Sequence, residues 1–193
     1  MPTSARPAKN SPGKALWRSR PIYSGVRSRA LILTLRRRPT GSTGFGFYQA
    51  YDRDAGVRDI RDTLNAVAKL PECTGKIAVQ GYCLGALMTF LTAVRAQVNA
   101  AVAYHGADTE KYLGEVQNLH APLLMHLGEE DEFISKAAQA QIKAALAGKA
   151  NATVYSYPGQ RHAFARHNGA HYNAAAAALA NGRTSEFLQR QLR

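Results

Sequence analysis

Within this 193-residue chain, the stretch with most chemical promise is Gly81-Tyr82-Cys83-Leu84-Gly85. The pattern Gly-x-Cys-x-Gly is the thiol version of a nucleophile elbow, a sharp strand-to-helix turn that lifts one side chain above a sheet edge. A cysteine attacks a carbonyl only as thiolate. A base must therefore take its proton, and a carboxylate must orient that base and stabilise its charged form. Asp131 and His162 follow Cys83 in the order nucleophile, acid, histidine. Taken singly, each has a duller reading. Most free cysteines are inert core fillers. Asp131 sits among Glu129, Glu130 and Glu132, as a solvated loop charge does. His162 reads equally well as a surface histidine.

Arg166 stands four residues beyond His162. On a helical turn both side chains would face the same way, and the guanidinium would clamp a substrate carboxylate through two parallel hydrogen bonds. Its duller reading is an exposed arginine. Of the other histidines, His105 ends an apolar run and is placed to line the same site. His126 reads as hydrogen-bonded core, and His120, His167 and His171 read as surface. No pair has the spacing and carboxylate company of a zinc site. Cys73 reads as a bystander.

These side chains need a frame. Ile77-Ala78-Val79 leads into the elbow and a helical apolar pattern leaves it, while residues 98–104, 121–127 and 152–157 read as three further short strands. Val57, Ile60, Leu64, Val67 and Leu70 recur at spacings of three and four, which predicts one amphipathic helix over 47–70 closed by Pro71. Helices are also expected over 135–147, ended by Gly148, and over 174–192. Strands that are apolar nearly throughout and alternate with helices predict an α/β fold, a mainly parallel sheet covered on both faces. In such sheets ligand chemistry collects past the carboxyl ends of the strands. Cys83, Asp131 and His162 each follow one.

The formal net charge of +12 would suggest an anionic partner. Its distribution argues against that. Residues 1–46 carry ten Lys and Arg and no acid, while residues 47–193 carry 15 basic and 13 acidic residues. The first segment, rich in Arg, Ser, Thr, Pro and Gly, offers one candidate strand at Ala30–Leu35 and is expected to be a disordered basic arm. Its only aromatics before Phe45 are Trp17 and Tyr23, and it holds no nucleic-acid module, so nucleic acid is not the expected partner. No apolar run approaches the roughly 18–20 residues a membrane span needs. The basic N-terminus also lacks the apolar core of a signal peptide. Two cysteines are too few for a disulfide framework, and a reducing cytoplasm is the expected location.

FYQAYDRDAGVRDI, KIAVQGYCLGALMTF, VAYHG, APLLMHLGEEDEF, YPGQRHAFARH and AALANGRTSEFL occur in that order over residues 47–193. As a set they resemble the dienelactone hydrolase (carboxymethylenebutenolidase) family of the α/β-hydrolase superfamily. The resemblance implies Cys83 as nucleophile, Asp131 and His162 as its partners, and the Leu84 amide as one oxyanion donor. It implies Arg166 as binder of the substrate's carboxylate, with Tyr82 as a further substrate-binding residue, and no cofactor or metal. The implied reaction opens an unsaturated lactone to maleylacetate through an acyl-cysteine intermediate. A related hydrolase acting on another ester is the alternative. A cysteine amidotransferase also uses Gly-x-Cys-x-Gly, but carries glutamate two residues after its histidine, where this chain has Phe164.

Two departures stand out. Ala86 replaces a glycine common in the family, at a helix start that tolerates a methyl group. More seriously, the family's first half supplies further strands, a second oxyanion amide, a glutamate that helps form the thiolate and another arginine. None can be located before residue 47, and no acid precedes Asp52. One reading makes residues 1–46 a frameshifted copy of that half. Codons for Arg20 to Val26 can be chosen so that reading two bases later gives a family-like Pro-Asp-Leu-Phe-Trp-Arg, and continuing through Leu33 permits Glu-Pro-Gly-Val-Asp-Leu. On that reading the chain is a catalytically impaired fragment whose elbow strand is left as an open edge.

Overall fold

The computed structural model describes residues 17–22, 30–35 and 42–193, with side chains from residue 46 onward. Its centre is a four-stranded sheet of β3 (Ala78–Tyr82), β4 (Ala100–Tyr104), β5 (Leu123–Gly128) and β6 (Ala152–Tyr157), paired in that order and all parallel. Parallel strands need crossovers. The elbow helix α3 (Leu84–Arg95), a 3-10 segment over Thr109–Asn118 and helix α4 (Lys136–Leu146) lie between successive strands. The closing helix α5 (Ala174–Gln191) packs beneath.

Burial follows from this layering. Every residue of β4 and β5 is buried, which is why their sequences do not alternate. One core joins the helix over Arg53–Ala68, α3 and α4 to one face through Leu87, Phe90, Leu91, Met125 and Ile142. A second joins α5 to the other face through Val102, Tyr104, Phe164, Ala180 and Phe187. Leu87, Phe90 and Leu91 are fully enclosed, each contributing about 1.5–3 kcal/mol of transfer free energy relative to exposure. The elbow helix is thus anchored along its length. The sheet covered on both faces agrees with the expected fold class.

The expected helix over 47–70 is two helices, α1 (Ser42–Ala50) and α2 (Arg53–Ala68). Asp52 lies in extended conformation between them and its carboxylate accepts from Ala55 N at 2.9 Å, so an N-cap starts a new helix upstream of the apolar period from Val57 onward. Further upstream, β2 (Ala30–Leu35) coincides with the candidate strand and pairs antiparallel with β1 (Trp17–Ile22), where no strand was expected. β2 runs alongside β3 without joining its ladder, and β3 is the outermost strand of the parallel sheet. Much of the expected disordered arm lies outside the described residues. Among the described residues no helix is long and apolar enough to cross a membrane.

Candidate active site

The elbow is built by close approach. A Cβ at Gly81 would lie 1.9 Å from the Gly85 carbonyl oxygen, so only glycine lets strand and helix meet there. Gly85 differs, since a Cβ on it would meet nothing within 4 Å. Of the two framing glycines, one is required by space. Between them Cys83 has φ 55°, in the left-handed region that L residues avoid, and its amide donates to Tyr104 O at 3.0 Å. Leu84 opens α3, so its N–H has no partner within the helix and lies at the positive end of the helix dipole.

The acid and base arrive on two loops drawn together past β5 and β6. Gly128 permits it, because a Cβ there would sit 2.5 Å from Gln160 O. Glu129 N donates to Tyr157 O and Glu130 N to Gln160 O, which zips the loops. His162 Nδ1 then lies 2.8 and 3.0 Å from the two carboxylate oxygens of Asp131. The Asp131 side chain is fully enclosed and that of His162 is 10% exposed. Phe133 N donates to Asp131 Oδ1 at 2.9 Å, fixing the carboxylate from its other side. Burial works against charge on His162. Hydrogen bonding to Asp131 and Cys83, with the negative charge on both, outweighs burial and lifts the imidazole to about 9. Cys83, Asp131 and His162 therefore converge as one system, the base held ready to carry a proton.

The expected binding residues are placed differently. Arg166 is exposed on a turn, not a helix, since Ala163 takes φ 60° between it and His162. A Cβ at Gly169 would lie 2.9 Å from Arg166 Nε, so that glycine leaves room for the guanidinium stem. Tyr82 stacks on Tyr104 with centroids 4.7 Å apart, and its hydroxyl accepts from Gln80 Nε2 at 2.6 Å. That bond uses a lone pair of the Tyr82 hydroxyl and leaves its O–H proton available.

Several residues around the site carry no role in the sequence reading. Glu132, read there only as one of an acidic cluster, accepts from His162 N at 3.2 Å and from Arg161 at 3.3 Å. Phe133 is 63% exposed yet meets the His162 ring edge-on at 4.8 Å. Tyr48 donates to Asp108 at 2.6 Å, with Arg53 over its ring and 3.7 Å from the same carboxylate. Burial, then Asp108, push the Tyr48 phenol upward, with a smaller push in the same direction from the charge of Cys83. Tyr48 lies in a recognisable segment, but nothing local marks Asp108, 60 residues away, as its partner. Among the described residues no three His, Cys, Asp or Glu side chains converge in a way that could hold a metal ion.

Residues 35–192 match the model of the dienelactone hydrolase family, a match that starts ahead of the expected residue 47. Carboxymethylenebutenolidase of Pseudomonas putida is 35% identical over 144 residues, which make up 75% of this chain and 61% of that protein. A protein of Azospirillum brasilense, provisionally given the same name, is 34% identical over 176 residues, 91% of this chain and 72% of that protein, so its alignment reaches into residues 1–46. Among solved structures, a dienelactone hydrolase-like promiscuous phosphotriesterase from metagenomic libraries superposes with a TM-score of 0.72 at 21% identity. It covers 86% of this chain and 75% of that one, a likeness of α/β-hydrolase fold. The chain spans about three fifths of the length of the Pseudomonas putida relative.

Proposed function

Since the chain belongs to the dienelactone hydrolase family, we propose that it hydrolyses a carboxylic ester or lactone, of the dienelactone-to-maleylacetate type, in the cytoplasm. Residues 47–193 are the hydrolase part of the chain on this reading. Cys83 is the nucleophile, His162 the base and Asp131 the group that orients it. The Cys83 proton passes to His162, whose opposite nitrogen donates to Asp131. The thiolate adds to the lactone carbonyl, and the oxygen that gains charge is met by the Leu84 amide. Collapse breaks the ring C–O bond, and the leaving oxygen takes the proton from His162. Water, deprotonated by His162, then displaces the Cys83 sulfur to give a carboxylic acid, which ionises in solvent, and the proton on His162 returns to the thiolate. Arg166, at the rim, is the proposed partner of a substrate carboxylate.

The observation that carries this reading is the buried Asp131–His162 pair at 2.8 Å, set beside a cysteine in a strained elbow. Steady-state opening of an unsaturated lactone, followed by its ultraviolet absorbance, tests it. Cys83→Ala is expected to lose at least roughly 10⁴-fold in kcat, and intact-protein mass spectrometry of the active chain should catch an acyl adduct on Cys83. Arg166→Gln is expected to raise KM for carboxylate-bearing lactones and leave neutral aryl esters unchanged. A folded chain that turns over neither lactones nor simple esters overturns the proposal.

A further inference from the structure

Two buried histidines lie outside the proposed triad, and they differ. His126 is satisfied at both nitrogens, Nδ1 against Tyr157 Oη at 2.7 Å and Nε2 against Thr184 Oγ1 at 2.9 Å. His105 is 2% exposed, and its Nδ1 is buried without any hydrogen-bond partner. Its backbone is also strained, with φ 44°, and is tied at the end of β4 by donation from its amide to His126 O at 2.8 Å. A buried imidazole nitrogen left unpaired lowers stability. What the His105 ring does touch is the site. Its centroid is 4.7 Å from that of His162, with the planes at 60°, inside the range where one aromatic edge meets another's face. Phe164, Tyr104 and Tyr82 surround the ring at 6.0–6.1 Å.

We propose that His105 is a positioning residue for the catalytic base: its enclosed aromatic ring backs the His162 imidazole, keeps it in line between Asp131 and Cys83, and favours its charged form. This rests on the triad reading above. The π face of a neutral ring attracts a cation packed against it. Neutrality is secured by the surroundings. Burial, then the charges of His162, His126 and Arg166, push His105 down to about 3, with only the phenols of Tyr82 and Tyr104 on its other sides. Around His162 stand Asp131 and Cys83 at the ring, with Glu132 and His171 at its backbone. Of the two adjacent imidazoles, one is thus fixed neutral and the other is free to hold the proton.

The test reads His162 directly. In the full chain the His162 ring is titrated by proton NMR, its signal assigned by its absence from His162→Gln, with melting curves recorded in parallel. In the parent its midpoint should lie well above that of a free imidazole. His105→Phe, which keeps the ring and drops the unpaired nitrogen, should retain that midpoint. His105→Leu, of similar bulk without the ring, should move it down by about half to one pH unit and cut kcat about threefold to tenfold, the equivalent of one aromatic pair. His105→Met gives the same comparison should the Leu variant not fold. A ring-free variant with the parental midpoint, or a Phe variant shifted as far as the Leu variant, overturns the inference alone. A parent whose His162 titrates like a free imidazole overturns the triad reading and this inference with it.

Discussion

At the scale of single residues, the Asp131–His162 pair proposed for the chemistry also shapes the pH dependence of stability. His162 is raised on folding from 6.5 to about 9, so its contribution is complete below pH 6.5 and is lost as pH climbs toward 9. His105 and His126 are lowered from 6.5 to about 3, each by burial first, so their contribution is present above pH 6.5 and is lost as pH falls toward 3. The two slopes meet near neutrality, where stability should peak. Asp131→Asn is expected to cost about 3–5 kcal/mol at pH 6, as loss of one partner of a buried pair does. It should also flatten the alkaline slope between pH 6.5 and 9. Urea unfolding at intervals across pH 4–10 measures both, and an Asn variant with an unchanged alkaline slope would show that Asp131 does not set the His162 proton affinity.

At the scale of elements, the elbow makes a sharper demand than its motif suggests. Gly81→Ala should abolish the soluble folded chain or its activity, because the added methyl would have to occupy the Gly85 carbonyl. Gly85→Ala should keep the fold and gain up to about 1 kcal/mol from helix propensity, which parallel melting curves would resolve. The motif alone treats these glycines as equivalent. Other parts of the architecture were more legible. β3 to β6 could be read because each is a short apolar run stopped by a turn, an acid or Pro-Gly, and the order of Cys83, Asp131 and His162 could be read because each follows such a run. The break at Asp52 was hidden because the apolar period, from Val57 onward, lies wholly beyond it and says nothing of where the helix begins. The 3-10 segment was hidden because Thr109–Asn118, with Gly114 inside, has no clean period. The contacts that aim the site were beyond sequence reach. Gly128 against Gln160, His105 against His162 and Tyr48 against Asp108 all join residues far apart in the chain.

At the scale of the whole molecule, charge and homology divide the chain in different places. Ten of the 25 basic residues fall in the first 46, without one acid, yet the family match begins at residue 35 and one relative aligns over 91% of the chain. A frameshift in the gene would account for the basic composition, whereas an alignment that reaches into residues 1–46 speaks for the frame as given. Sequencing the gene across codons 1–46 should reveal a shifted frame that encodes a hydrolase-like peptide, and restoring it should give a chain with a higher and more cooperative melt. A shifted frame with no such peptide leaves the basic segment as a genuine part of this protein.

The outer position of β3 bears on all of this. Among the described residues its amides and carbonyls find ladder partners on β4 alone, whereas β4 and β5 are held from both sides. Strands held from one side have fewer partners to lose on local opening, and β3 is the edge strand that leads into the proposed nucleophile Cys83. On the proposed function, the thiol rides on an edge of the sheet and not on its centre. Warming would then be expected to silence activity while the interior was still intact.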